Sequence, residues 1–199
     1  MMPDQAARPG MALLHARLHA ADPDAAASAA REVAAGGRPV VAASSGLRGI
    51  RCRYDGGDQL LPSLAARAAG CGLLPLCPEV LGGLGVPRPP ASFDGDGGGA
   101  AVLAAWGPDG LGPAGPIAGG ARLRDASGRD VTQAFIDGAR RADELMRAAG
   151  ATAAWLKERS PSCGVRQVYR GATLVPGRGV FAALVATRGI PLQSDEELA

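Results

Sequence analysis

Ala151-Thr152-Ala153-Ala154-Trp155-Leu156, followed at once by Lys157-Glu158-Arg159-Ser160-Pro161-Ser162-Cys163-Gly164, is the stretch on which the fold turns. The apolar run has the length of a buried strand, and the Pro and Gly after it force a loop. That loop gathers charges, hydroxyls and a thiol at the C-terminal edge of a strand, where open α/β sheets bind their ligands. Taken alone, the plainer reading is the stronger one: Ser-Pro-Ser is a turn, and Cys163 is a small buried hydrophobe.

Upstream, Asp130-Val131-Thr132-Gln133 has the form of a capping box, and Phe135, Ala139, Ala142, Met146 and Ala149 recur at helical spacing up to Gly150. Two further apolar runs, Val40 to Ala43 and Gly72 to Leu76, read as strands, with a helical stretch from Gln59 to Ala69 between them. Downstream, Gly179 to Arg188 reads as a helix, Ile190-Pro191-Leu192 as an edge strand, and Ser194 to Glu197 as a capping box opening a last helix. Strands alternating with helices predict an α/β fold, a small Rossmann-like parallel sheet flanked by helices, over residues 38–199.

Residues 1–37 read as an N-terminal helical extension. Leu13, Leu14 and Leu18 form a stripe, Asp22 to Asp24 a break, and Ala25 to Ala35 a second helix ended by Gly36-Gly37. His15 and His19, four apart, could share a metal on one helical face. With no third ligand nearby they read instead as two solvent-facing side chains. Leu81 to Gly120 holds much of the excess of 30 Gly and 16 Pro and is expected to be mostly irregular, including the Gly/Pro-rich run after Trp106. Its Asp94 to Gly99 segment lacks the alternating ligands and final Glu of a calcium loop. Arg88, set between Pro87 and Pro89, reads first as a solvated loop arginine and second as one held rigidly enough to touch an anion.

Composition narrows the function. A formal charge of +2 over 199 residues argues against an extensive nucleic-acid surface and favours a small-molecule substrate. No apolar run approaches the roughly 20 residues that span a bilayer, and no signal-peptide pattern opens the chain, so a cytoplasmic location is expected. There is no Gly-x-Ser-x-Gly elbow, and both histidines lie in the extension, which disfavours esterase-like and protease-like sites.

Four cysteines remain, Cys52, Cys71, Cys77 and Cys163, in no disulfide framework. Three of them follow presumptive strands, so the parallel sheet brings them to one edge. Cys52 lies between Arg51 and Arg53, cations that would favour its thiolate. Cys71 ends a helix and reads as a structural thiol. Thiols converging without histidine and without close pairs favour an iron–sulfur cluster, or simple thiols, over structural zinc. Three thiolates on a four-iron cluster would leave one iron open, and a soft open iron prefers sulfur. Glu79 is then a proton-transfer group and Ser160 a polar anchor.

Cys52-Arg53-Tyr54-Asp55-Gly56-Gly57, Cys77-Pro78-Glu79-Val80-Leu81-Gly82-Gly83, Asp130-Val131-Thr132 and Lys157 to Gly164 resemble, in order, the motifs of the 2-thiouracil desulfurase family. The resemblance runs from about Arg38 to the C-terminus. It implies a compact α/β domain, a 4Fe-4S cluster on three cysteines, and removal of sulfur from thiolated nucleobases. Cys77 and Cys163 fall on ligand positions, Glu79 on the acid/base and Ser160 beside the substrate. Ser44, Arg53, Tyr54, Asp55 and Ser162, on the same loops, are the candidate substrate contacts. The family's Ser-Ala-Cys-Leu-Leu-Gly reads Ser44-Ser45-Gly46-Leu47-Arg48-Gly49 here, so Gly46 stands where the family has a cysteine. A cluster then forms only if Cys52, Cys71 or Ser45 completes the set, Cys52 before the others, or it does not form at all.

Two main functions follow. One is a desulfurase of a thiolated nucleobase or nucleoside, its cluster held by Cys52, Cys77 and Cys163. The other is a cluster-less relative that uses the pocket to bind a small molecule or anion, with thiol chemistry at Cys163 as a further variant.

Overall fold

The computed structural model describes residues 9–107 and 120–199. In chain order, α1 (Pro9–Leu18) and α2 (Pro23–Ala34) precede β1 (Val40–Ser44), a 3-10 turn (Ser45–Arg48), α3 (Ser63–Arg67), β2 (Gly72–Leu76) and α4 (Pro78–Leu81). Next come β3 (Ala91–Asp94), α5 (Gly98–Trp106), β4 (Arg122–Asp125), α6 (Thr132–Ala148) and β5 (Ala151–Leu156). The chain closes with β6 (Gln167–Arg170), β7 (Thr173–Pro176), α7 (Val180–Thr187), β8 (Leu192–Ser194) and α8 (Asp195–Leu198).

The three apolar runs become the neighbouring strands of a parallel sheet ordered β2-β1-β5-β8. Every residue of β1 is buried, as expected of a central strand covered on both faces. Because all four strands run the same way, the chain segments after Ser44, Leu76 and Leu156 leave from one edge. The site is built on that edge.

A second sheet, ordered β4-β3-β6-β7, was not foreseen. Its β3 and α5 lie within the interval expected to be irregular, which is thereby corrected; most of the Gly/Pro-rich run after Trp106 lies outside the described residues. β3 pairs antiparallel with β4 and parallel with β6, and β6 and β7 form a hairpin turned at Gly171. Each of β3, β4 and β6 buries one large side chain, Phe93, Leu123 and Val168, so none carries an apolar run that periodicity can detect.

Helix α6 lies at the centre of the helical packing, against α4, α7 and α2. The expected face of Phe135, Ala139, Ala142, Met146 and Ala149 is buried, and Gly150 in the left-handed region ends the helix. Its start differs from expectation. Asp130 accepts from the Thr132 N–H and hydroxyl, while Gln133 bonds Asp137, so no capping box closes; the Ser194–Glu197 box does close. The short α4 rests on α6 at backbone contact: a Cβ on Gly138 would overlap the Pro78 carbonyl, and one on Gly82 the Ala134 carbonyl.

Pro23 and the Asp22 cap start α2 earlier than the expected Ala25. Leu18 from α1 and Ala26, Ala29 and Ala30 from α2 join the same apolar cluster as α6 and the first sheet. No helix among the described residues is long and apolar enough to cross a membrane.

Candidate active site

A cavity of about 620 Å³ opens at the C-terminal edge of the first sheet, a size suited to a small organic ligand. Cys52, Cys77 and Cys163 all line it, together with Ser44, Arg53, Tyr54, Glu79 and Ser160. The second sheet provides the facing wall through Ser92, Arg124, Asp125 and Tyr169. Asp55 and Ser162 stand outside the lining. Asp55 turns back to Arg53 and the Gly57 N–H, which hold its carboxyl down to about 2, and Ser162 is fully buried beneath the loop. Cys71 directly precedes β2 and so lies at the other end of that strand, roughly 20 Å from Cys77 by strand rise. It cannot join the other three.

The loop after β5 is wrapped around Glu158. This carboxylate is almost fully buried, and its Oε1 accepts from the backbone N–H groups of Arg159, Val165, Arg166 and Gln167 at 3.0 to 3.3 Å. Burial pushes its pKa up, but the four N–H groups outweigh that and hold it below the ordinary carboxylate range. Arg159 takes φ 65°, the left-handed region that side chains avoid, and this reverses the chain so that Ser160 and Cys163 face the cavity. Ser160 Oγ accepts from the N–H groups of Ser162 and Cys163, both at 3.1 Å, and its hydroxyl bonds the Cys163 sulfur.

Burial pushes the Cys163 thiol up to about 12, opposed by the Ser44 and Ser160 hydroxyls. The Cys77 thiol donates to the Cys52 carbonyl at 3.8 Å. Interaction between the two neighbouring thiols holds Cys77 below the ordinary thiol range, while that interaction and burial hold Cys52 above it. The cations expected to activate Cys52 bond elsewhere, which corrects that expectation: Arg51 donates to the Gly56 carbonyl, and Arg53 pairs with Asp55.

Arg88 takes their place, and it is not the solvated arginine expected. Its side chain is 7% exposed; Nε and Nη2 donate to Glu79 Oε2 at 2.9 and 2.8 Å, and both Nη atoms to the Cys52 carbonyl at 3.2 Å. The histidines are not solvent-facing either. Their rings stack 3.8 Å apart, half-buried, His19 Nδ1 donates to the His15 carbonyl, and the Cys77 N–H donates to His19 Nε2 at 3.0 Å. Burial brings His15 down to about 3 and His19 to about 4, so both are neutral at ordinary pH. Sequence reading missed Arg88, His19 and Glu158 as parts of the site. Arg88 and His19 reach it by bonds to residues on other elements, and Glu158 by collecting the N–H groups of the chain that follows it.

Among the described residues no group of three or more His, Cys, Asp and Glu is arranged around a single metal ion. The donors that share the cavity are three thiols without an imidazole, the set that iron–sulfur chemistry uses. Gly46, at the cavity wall, has room for more: a Cβ built there meets nothing nearer than the Gln59 N at 3.7 Å. In chemical kind the site fits a cluster on Cys77 and Cys163, with Cys52 beside them for the third ligand.

The family model described as 2-thiouracil desulfurase matches residues 41–197. An uncharacterized protein of Bacillus subtilis (strain 168), YbbK, is 35% identical over 162 residues, covering 80% of this chain and 97% of its own. Among solved structures, the [4Fe-4S]-dependent thiouracil desulfidase TudS is similar at 34% identity and a TM-score of 0.63, covering 81% of this chain and 93% of its own.

Proposed function

The chain belongs to the 2-thiouracil desulfurase family, and on that premise we propose that it removes sulfur from a thiolated nucleobase or nucleoside of the 2-thiouracil kind. The observation that carries this is the convergence of Cys52, Cys77, Cys163, Glu79 and Ser160 on one cavity. Cys77 and Cys163 would hold a 4Fe-4S cluster, with Cys52 as third ligand. Bound there, the cluster would supply a soft, open iron that takes the substrate's sulfur.

The chain's own residues do the rest. Arg88 fixes Glu79 through Oε2 alone, and Oε1 has no partner among the described residues. Oε1 is therefore the atom that takes a proton from the water replacing sulfur and returns one to the departing group. Ser160 lines the cavity with its oxygen committed to two backbone N–H groups, so its hydroxyl proton is what it can offer, to the Cys163 sulfur beside it or to a bound base. Tyr54 and Tyr169, both on the cavity lining and about two-fifths exposed, offer apolar rings to a planar base.

A second reading has its own observations. Gly46 in the motif, and a Cys77 thiol that donates to the Cys52 carbonyl, favour a cluster-less module that binds the base without turnover. Anaerobic reconstitution followed by iron, sulfide and product analysis separates the two. About four irons per chain and conversion of 2-thiouracil to uracil with release of sulfide are expected. Iron-free, inactive protein that still binds the base would establish the second reading.

A further inference from the structure

We infer that His19, in the segment after α1, is a positioning residue for the Cys77 thiol. The inference rests on the proposed function only for its consequence in iron binding. β2 is the outermost strand of its sheet, so one edge of its backbone has no strand beside it. Where β2 gives way to α4, the Cys77 N–H turns to His19 Nε2 at 3.0 Å. The tautomer is set from the other side of the ring, because Nδ1 must carry the proton it donates to the His15 carbonyl at 2.8 Å. Stacking on His15 holds the ring in plane.

Arg141 of α6 links the same segment to the far end of α4: it donates Nη2 to the Ala20 carbonyl at 3.1 Å and Nη1 to the Leu81 carbonyl at 3.0 Å. His19 thus holds the start of the one helical turn that carries Glu79 and follows Cys77 directly, and Ala20 is joined to its end through Arg141. The peptide plane at Cys77 sets the direction in which its Cβ leaves the chain. A side chain outside residues 41–197, the span of the family match, therefore orients a thiol inside it.

The test compares the full-length chain with His19→Phe, which keeps a ring and removes the acceptor, and His19→Gln, whose carbonyl oxygen can take the N–H. Iodoacetamide labelling of the iron-free proteins is quantified for each cysteine by peptide mass spectrometry. His19→Phe should speed labelling of Cys77 about fivefold, the worth of one hydrogen bond, with Cys163 unchanged and His19→Gln close to wild type. Equal Cys77 rates in all three proteins, a parallel rise at Cys163, or His19→Gln behaving as His19→Phe would overturn the role.

Should His19→Phe not fold, amide exchange in the wild type decides the matter. A protected Cys77 amide supports the assignment, and exchange at the rate of a free amide refutes it. Iron content after reconstitution is read separately. Iron-free wild type counts against the cluster and leaves the labelling result standing. Iron-loaded wild type with Cys77 labelling indifferent to both substitutions counts against His19 alone.

Discussion

Arg88 meets Glu79 and Cys52 at once, and the pairing decides what each can do. Its guanidinium takes one carboxylate oxygen and a carbonyl from the Cys52 loop, so the acid and the thiol loop move as a unit. The other carboxylate oxygen is left for chemistry. Glu79→Gln keeps the shape and removes the proton acceptor. Turnover of 2-thiouracil should fall by about 10² to 10⁴ with iron content unchanged, measured on the same reconstituted sample. Full activity in that variant would remove Glu79 from the reaction. Gly46 offers the opposite experiment. Its backbone is not in the left-handed region and a Cβ has room, so Gly46→Cys can add a thiol without strain. This variant should take up more iron and sulfide than the wild type and lose them more slowly to a chelator; equal retention would show that position 46 does not face the cluster.

At the scale of elements, two short pieces with little stability of their own carry the site. Helix α4 has four residues, too few to persist alone, and is held by α6, whose Arg141 bonds its end, and by His19 of the N-terminal segment at its start. The contact with α6 has no side chain between the backbones. Gly138→Ala would push a methyl into the Pro78 carbonyl, so α4 must lift. The urea midpoint should drop by an amount equal to about 1 to 3 kcal/mol, with unchanged stability meaning that the helices separate freely. The loop from Lys157 to Gly164 is held by its own buried carboxylate, on which the N–H groups of Arg159 and of Val165 to Gln167 converge, and by Asp195, which takes the Glu158 N–H and Lys157 Nζ. Sequence reading recognised both pieces, because a thiol and charges directly after an apolar run are poor material for a core. It misjudged their supports. Arg88 looked like a solvated loop residue because the chain nearby offers only prolines, and Glu79, nine residues away, is brought in by the turn between them.

The whole molecule joins an N-terminal helical pair to a sheet edge, and its acid stability should report on that join. His15 is held at about 3 by burial and by the neighbouring His19, against 6.5 when free. Between those values the unfolded chain binds a proton that the folded chain refuses, so this contribution favours folding above the free value and is lost as pH falls through the window. The urea midpoint of the iron-free protein should decline from about pH 7 to about pH 5, and His15→Gln should flatten that decline. An unaltered slope would assign the loss to other groups.

By itself the sequence determined the first sheet, the long helix α6 and the meeting of three thiols. Strands buried on both faces must be apolar runs, a capped amphipathic helix repeats its buried side chains, and parallel strands send their ends to one edge. Tertiary structure alone decided the second sheet, whose short, sparsely buried strands acquire meaning only as a wall of the cavity. It also decided which polar groups support the thiols. Hydrogen bonds from Cys77 to His19 and from Arg88 to Glu79 depend on where separate elements pack, and no local pattern in the chain records that. Cys71 shows the same division: its thiol is as visible in the sequence as the others, and only its place at the wrong end of β2 excludes it.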